Sequence, residues 1–414
     1  MVGGEISPGK RQAMRPVVRL LPKVKHRVFY GHPWIFSSEI GTIDGTYSQG
    51  DIVEVRDPRG RFVCLGYLNP ESTITVRVLT REDREIDEEF FRDRLRQAVE
   101  YRSSLFGIDG AFGEDERGFR LVYSEGDFLP GLIVDIFAGY VSFQTLTYGI
   151  DRWKETLLDA LREFVEPKGI YERNDAPVRR LEGLNLRSGY VGEPFDPLIE
   201  MDENGVKVMV DIQRGQKTGY FLDQTENRLI ARKFVKGRSV LDAFSYSGGF
   251  GLSAAAGGAK SVTFMDVSEA ALDLCRAGAG RNHFGGEVFF RAANVFDALR
   301  EFERDGVRFG AVFLDPPAFA RSRKMVESAL AGYKEVNLRA MKVVEDGGIL
   351  CTSSCSQHVT AQEFDAMLDE AASDAKVTLR VIERRGQRAD HPVLAGVPET
   401  EYLKFRVCQV LKRC

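Results

Sequence analysis

The chain has 414 residues, 43% hydrophobic and 29% charged, an ordinary globular composition with length enough for two or three domains. No apolar run reaches membrane-spanning length and no signal-peptide core opens the chain, so no membrane partner and a cytoplasmic location are expected. The six cysteines lack a Cys-x-x-Cys pair and the five histidines are isolated, which speaks for reduced thiols and against a metal site, while a net charge of −4 excludes a chain that is basic throughout.

Residues 1–14 are Gly-rich and polar and read as a flexible tail. Short β segments then follow at 17–21, 52–56, 62–68 and 74–79, the spacing of a small barrel. Residues 1–80 hold 11 Lys/Arg against 7 Asp/Glu, with Lys23, Lys25, His26 and Arg27 just ahead of Phe29, Tyr30 and Trp34. Basic and aromatic side chains interleaved in this way suit phosphate contact and base stacking; a solvated edge beside a small core is the plainer alternative. A charged helix over 87–106 leads into strands at 120–124, 131–137 and 140–146, a helix over 152–164 and a strand at 169–172. This α+β unit carries no catalytic motif. Asn204-Gly205 predicts a tight hairpin between strands at 199–202 and 206–211. The segment from Gln216 to Gln224 then enters a helix carrying Arg228.

From residue 240 onward, polar groups fall at the ends of five successive apolar strands. The first strand opens into Phe244-Ser245-Tyr246-Ser247-Gly248-Gly249 and a helix, a glycine turn of the kind that lets a backbone approach a nucleotide-like ligand. The second ends at Asp266, placed to accept from two ribose hydroxyls, and the third at Asn294, an amide suited to an adenine edge. The fourth runs into Asp315-Pro316-Pro317-Ala318-Phe319 and the fifth, at 348–352, into Ser353-Ser354-Cys355-Ser356. Two further strands at 378–384 and 402–411 close the domain. Open α/β sheets bind ligands at their carboxyl edge. With no Gly-Lys-Ser/Thr to grip phosphate, the turn and Asp266 suit S-adenosyl-L-methionine better than ATP. Asp315 and the stiff prolines can meet a base edge, and Phe319 is set to stack on it. Cys355, beyond its strand and among serines, can supply the thiolate that activates ring carbon 5 of a pyrimidine by adding to carbon 6. Cys351, inside the strand, reads as core.

The motifs His32-Pro33-Trp34-Ile35-Phe36-Ser37, Lys217-Thr218-Gly219-Tyr220-Phe221-Leu222-Asp223-Gln224, Phe244 to Phe250, Asp315-Pro316-Pro317, Ser354-Cys355-Ser356 and Ala389-Asp390-His391-Pro392 together resemble those of the bacterial RNA cytosine-5 methyltransferases of 23S ribosomal RNA that carry an N-terminal PUA domain. The resemblance spans about residues 15–411. It implies an α/β chain: a Rossmann-like class I methyltransferase domain with a mostly parallel seven-stranded sheet (196–414), an N-terminal PUA β-barrel that binds RNA (15–85) and a central α+β domain (86–195). It implies S-adenosyl-L-methionine as cofactor, held by residues 244–249, Asp266, Asn294, Asp315 and Gln224. The substrate it implies is 23S ribosomal RNA or a large-subunit precursor, contacted by Lys23, Lys25, Arg27, Trp34, Pro316, Pro317 and Phe319. Cys355 is then the nucleophile and Asp315 the ring-holding group. His358 or His391 beside Asp390 is the base, each equally readable as structural. A homodimer is left open. Thr225, Asn294 and Ala318 stand where the family usually has Arg, an acid and Lys. Two other functions are weighed against this one: guanine N-methylation of RNA, which needs no thiol, and a non-catalytic RNA-binding assembly factor.

Overall fold

The computed structural model describes residues 15–320 and 322–412; the tail expected at 1–14 and Cys414 lie outside the described residues. Six strands form the N-terminal sheet: Val17–Leu20, Trp34–Phe36, Ile40–Asp44, Ile52–Arg56, Phe62–Leu68 and Ile74–Thr80. Their inward residues, Val18, Ile35, Val53, Val55 and Leu68 among them, form a small core of their own. The strands at Trp34–Phe36 and Ile40–Asp44 were not foreseen. The first has only three residues and the second holds Gly41 and Thr42, so neither shows a period.

The central unit is a five-stranded sheet running in space Arg187–Tyr190, Gly169–Asn174, Tyr140–Thr145, Leu132–Phe137, Gly118–Tyr123. Helices Glu88–Phe106 and Lys154–Val165 share its core through Phe90, Phe91, Leu95, Leu157 and Leu161. The first helix starts where the Asp87 side chain accepts from the Phe90 N–H and stops at Gly107, whose positive φ of 62° ends the α run. The hairpin Leu198–Asp202 and Lys207–Asp211 turns at Asn204 and Gly205, at φ 55° and 77°, as that dipeptide predicts.

The third unit holds strands β1 (Ser239–Ala243), β2 (Ser261–Asp266), β3 (Glu287–Ala292), β4 (Phe309–Leu314), β5 (Val344–Ser354), β6 (Val377–Arg385) and β7 (Lys404–Lys412). They lie in the order β3-β2-β1-β4-β5-β7-β6, parallel except for β7, which is antiparallel to both neighbours. Helices α1 (Gly249–Ala256), α2 (Glu269–Gly280), α3 (Val295–Arg304), α4 (Val326–Val343) and α5 (Ala361–Ala375) complete it. Alternate strand residues feed two cores: Val240, Ala311 and Phe313 on one face, Leu241, Val312 and Leu314 on the other. Burial on both faces explains the unbroken apolar runs of β1 and β4. The strand order reverses between β1 and β4, and the crevice at that reversal is where such sheets take ligands.

Ion pairs and a buried hydrogen bond tie the units together. Arg77 of the N-terminal sheet donates to Glu182 at 2.9 Å, Arg27 reaches Glu399 at 2.7 Å, and buried Arg102 donates to the Asp390 carbonyl at 2.7 Å. Among the described residues no helix is long and apolar enough to cross a membrane, and no cluster of His, Cys, Asp or Glu could hold a metal.

Candidate active site

After β1 the chain turns through Phe244 and Tyr246, both at positive φ (62° and 47°), to Gly248 at 86°, which caps α1. Side chains rarely occupy this region, so the turn must be held by its surroundings. The Ser245 N–H donates to the Met265 carbonyl at 3.1 Å and the Tyr246 N–H to Asp266 Oδ2 at 2.9 Å. The Tyr246 hydroxyl donates to the Gly219 carbonyl at 3.0 Å and accepts from the Gln216 N–H at 2.8 Å. At Gly251 a Cβ would lie 2.2 Å from the Phe264 ring, so only glycine lets α1 press against the strands. Asp242 beneath accepts from the Gly251 N–H at 2.8 Å. Burial pushes its carboxyl up to about 8, against the pull of that N–H, which marks it as a structural group.

A cavity of about 220 Å³ opens over this turn. Its wall includes Phe244, Ser245, Tyr246, Ser247, Gly249, Asp266, Gln224, Asp315, Pro316, Pro317 and Cys355. The buried hydroxyls of Ser245 and Ser247 have no protein partner. Each Asp266 oxygen takes one backbone N–H, from Tyr246 and Ser268, both at 2.9 Å, which leaves lone pairs for a diol. The wall carries three carboxylates, Asp223, Asp266 and Asp315, while Arg228 is engaged by Glu203 at 2.6 Å. Such a wall repels a triphosphate and suits a ligand with cationic sulfonium and ammonium groups. S-adenosylmethionine fits it. Two expected cofactor residues lie off this wall. Gly248 acts as the helix cap. Asn294 is exposed, and its side-chain oxygen accepts from the Phe296 and Asp297 N–H groups at 2.9 and 3.4 Å, capping α3.

A second cavity, about 620 Å³, also reaches Cys355 and takes its wall from the central unit and the chain that follows it. It is lined by Arg120, Tyr123, Arg173, Lys217, Ala318, Gln357, Glu399 and Tyr402, among others. Among the described residues, only Lys217 and Cys355 line both cavities. Cys355 is half-buried, whereas Cys351 is buried in β5. Burial pushes the Cys355 thiol up to about 11; Lys217 opposes the rise, and Asp315 and Asp223 add to it. Asp315 accepts from Gln224 Nε2 at 2.9 Å and from the Ser353 hydroxyl, and burial raises its pKa. Asp223 is buried too, and burial alone would raise it, yet the charges of Lys217 and His391 together with hydrogen bonds from Tyr402 and Lys217 hold its carboxyl well below the usual range. Lys404 donates to the carbonyls of Ser356 and Tyr402, both at 2.7 Å, and burial lowers it to about 8.

The remaining candidates are placed elsewhere. His358 is exposed and lines neither cavity, and His391 is buried against Asp390 at 2.8 Å, also off both walls. Phe319 packs on Tyr333, centroids 4.6 Å apart, and does not face the cavities, so its stacking role gives way to a packing one. Arg27 is taken by Glu399 and the Trp34 indole by Glu125 Oε1 at 2.7 Å: both join units instead of standing free for RNA. Lys23 and Lys25 are exposed, beside Phe29 (50% exposed) and Tyr30 (75%). Sequence reasoning missed Lys217, Asp223, Tyr402 and Lys404 as site residues. Their one shared signal was a charged or phenolic group inside segments that otherwise read as apolar strand or turn.

A PUA-like domain family matches residues 18–81, and an S-adenosylmethionine-dependent methyltransferase family matches residues 186–406. The Ribosomal RNA large subunit methyltransferase I of Aliivibrio fischeri is 43% identical over 383 residues, covering 92% of this chain and 96% of the relative. That of Vibrio cholerae is 40% identical over 402 residues, covering 96% and 100%. A solved SAM-dependent methyltransferase from Streptococcus mutans superposes with a TM-score of 0.78 at 18% identity, covering 96% of this chain and all of that one, and a methyltransferase complexed with SAH superposes with 0.79 at 19% and the same coverage. These structures show the fold. The cofactor is S-adenosylmethionine. With its glycine turn, its strand-end acids and its N-terminal PUA-like sheet, the chain belongs to the ribosomal RNA large subunit methyltransferase I family of S-adenosylmethionine-dependent methyltransferases.

Proposed function

We propose that the chain methylates carbon 5 of a cytosine in 23S ribosomal RNA, or in its large-subunit precursor, through a covalent Cys355 adduct at carbon 6. The observation that carries this reading is the position of Cys355, half-buried past the end of β5 and on the wall common to both cavities. The relatives are named for the large-subunit RNA, which supports that substrate class. The target base is taken out of its stack into the larger cavity, at a cost of a few kcal/mol. Cys355 Sγ bonds to carbon 6, and the ring's electron pair moves toward carbon 5 and the N3 edge. Asp315 faces that edge, and hydrogen bonds from Gln224 and Ser353 fix its orientation, so it can hold the polar edge of the ring. Bound S-adenosylmethionine supplies an electrophilic methyl group to carbon 5. Loss of the carbon-5 proton to solvent then expels the Cys355 thiolate. Residues 15–85 serve as the RNA-binding unit, with Lys23 and Lys25 among its exposed cations; residues 86–195 wall the substrate cavity; residues 196–414 carry out transfer.

The test is RNA carrying 5-fluorocytosine at the target, where fluorine cannot leave as a proton. Wild-type enzyme should form a denaturation-resistant complex with it. Cys355→Ser should form none and should lose at least about a thousandfold in methylation rate. Cys351→Ser, the core control, should keep both. A Cys355→Ser enzyme that methylates at near wild-type rate would move the target to a ring or exocyclic nitrogen.

A further inference from the structure

Lys217 occupies an unusual place. It and Cys355 are the two residues that line both cavities, so it stands where a substrate base and the methyl donor must meet. Its backbone sits at φ 53°, a strained value for a lysine, and its side chain is held from several directions. Nζ donates to Asp223 Oδ2 at 3.0 Å and lies 4.4 Å from the Phe221 ring centroid and 5.7 Å from that of Tyr402. Asp223 is itself fixed, since the Tyr402 hydroxyl donates to the same Oδ2 and the Arg388 N–H donates to its carbonyl at 3.0 Å. A lysine kept only for solubility does not need this support.

The titratable groups around Cys355 come from four directions. Lys217 and Asp223 belong to the segment before the sheet, Asp315 follows β4, Tyr333 lies on α4, and Lys404 opens β7 with Tyr402 just ahead of it. Of the two lysines, Lys404 spends its donors on the Ser356 and Tyr402 carbonyls. Lys217 is the lysine on the wall of both cavities. A thiol pushed up to about 11 is almost wholly protonated at neutral pH, and only the thiolate is nucleophilic.

We propose that Lys217, positioned by its ion pair with Asp223, is the cation that favours ionisation of Cys355 to the attacking thiolate. This deepens the carbon-5 reading and rests on it. It can still be tested without turnover, because the thiolate population is a property of the protein alone.

The experiment is alkylation of the full-length chain by iodoacetamide between pH 7 and 10, with the Cys355 peptide followed by mass spectrometry. In that reaction Sγ bonds to carbon, iodide leaves and the thiol proton goes to buffer. At pH 8, K217M and K217Q should react at least fivefold more slowly than wild type, with the rate profile displaced to higher pH. K217R, which keeps the charge, should stay within twofold. Lys217 is more than one-third exposed, so melting midpoints near wild type should verify the fold of each variant. Wild-type alkylation rates in K217M and K217Q would overturn the proposal. So would a K217R rate as slow as K217M, since shape and not charge would then be at work. The two readings fail separately. A missing 5-fluorocytosine adduct with slowed K217M alkylation sinks the carbon-5 reading alone; a formed adduct with unchanged alkylation sinks the lysine assignment alone.

Discussion

The two cavities that meet at Cys355 are built in opposite ways. The smaller takes most of its wall from successive strand ends of one sheet: residues 244–247 and Gly249 after β1, Asp266 ending β2, and Asp315, Pro316 and Pro317 after β4. The larger gathers Arg120, Tyr123 and Arg173 from the central unit, Lys217 from the segment before the sheet, and Glu399 and Tyr402 from just before β7. The first wall exists as soon as parallel strands pair in register. The second exists only once the units have docked. Damage to the first should therefore appear as lost cofactor affinity, and damage to docking should appear first on the RNA side.

The largest effect that separates the two walls is expected at Asp266. Replacing it by Ala should weaken S-adenosylmethionine at least tenfold, about 1.4 kcal/mol, by removing a charge-assisted diol contact. RNA affinity should stay within twofold. Titration calorimetry for the cofactor and filter binding for RNA read the two arms. An unchanged cofactor affinity would take Asp266 out of the site, and a parallel loss of RNA affinity would mean that the walls are not independent.

The same contrast decides what could be read from the chain beforehand. Strand-end groups are legible because a strand, its terminal acid and the following turn are contiguous: Asp266, Asp315 and, apart from Gly248, the turn at 244–249 lie on the wall where their spacing puts them. Lys217 and Asp223 sat in a quoted motif, but nothing local says that Asp223 is buried or that a lysine six residues earlier pairs with it across a bend. Arg27 and Trp34 show the limit most clearly. Their basic-aromatic company is visible in the chain, yet their partners are Glu399, 372 positions away, and Glu125, 91 away. Charge clustering records which groups are near in sequence; it does not record which will be neutralised by docking. Asn294 shows the converse error, since a strand-end amide and a helix cap have the same local signature.

The docking pair offers the second test. Burial alone would raise the Glu399 carboxyl, but hydrogen bonds from Arg27 and His32 outweigh it and bring it down from 4.5 to about 2. A folded value below the unfolded one means stabilisation that is present above about 4.5 and lost as pH falls toward 2. Glu399→Gln should cost about 1 kcal/mol at pH 7, a figure discounted for solvent screening, and the gap to wild type should narrow between pH 5 and 3. Denaturant titration at several pH values measures this. In RNA binding, Lys23→Ala and Lys25→Ala should each lower the salt slope by about one, while Arg27→Ala should leave it unchanged because its charge is already paired. A lowered slope for Arg27→Ala would return that residue to the RNA contact.

Asn294 gives the smallest and most discriminating effect. Its side-chain oxygen caps α3 through two backbone N–H groups, and an Asp carboxylate can do the same. Asn294→Ala should cost about 1 kcal/mol in unfolding free energy, because the N–H groups of the first turn lose their acceptor. Asn294→Asp should recover that loss, helped by a negative charge at the positive end of the helix dipole. Neither change should move cofactor affinity by more than twofold, since the residue lies off the smaller cavity's wall. If the amide nitrogen instead donated to an adenine edge, Asn294→Asp would keep the cap and lose the donor, weakening the cofactor at full stability. Stability and affinity measured on the same two variants thus separate a cap from a contact, and a drop in affinity for Asn294→Asp alone would restore the adenine role.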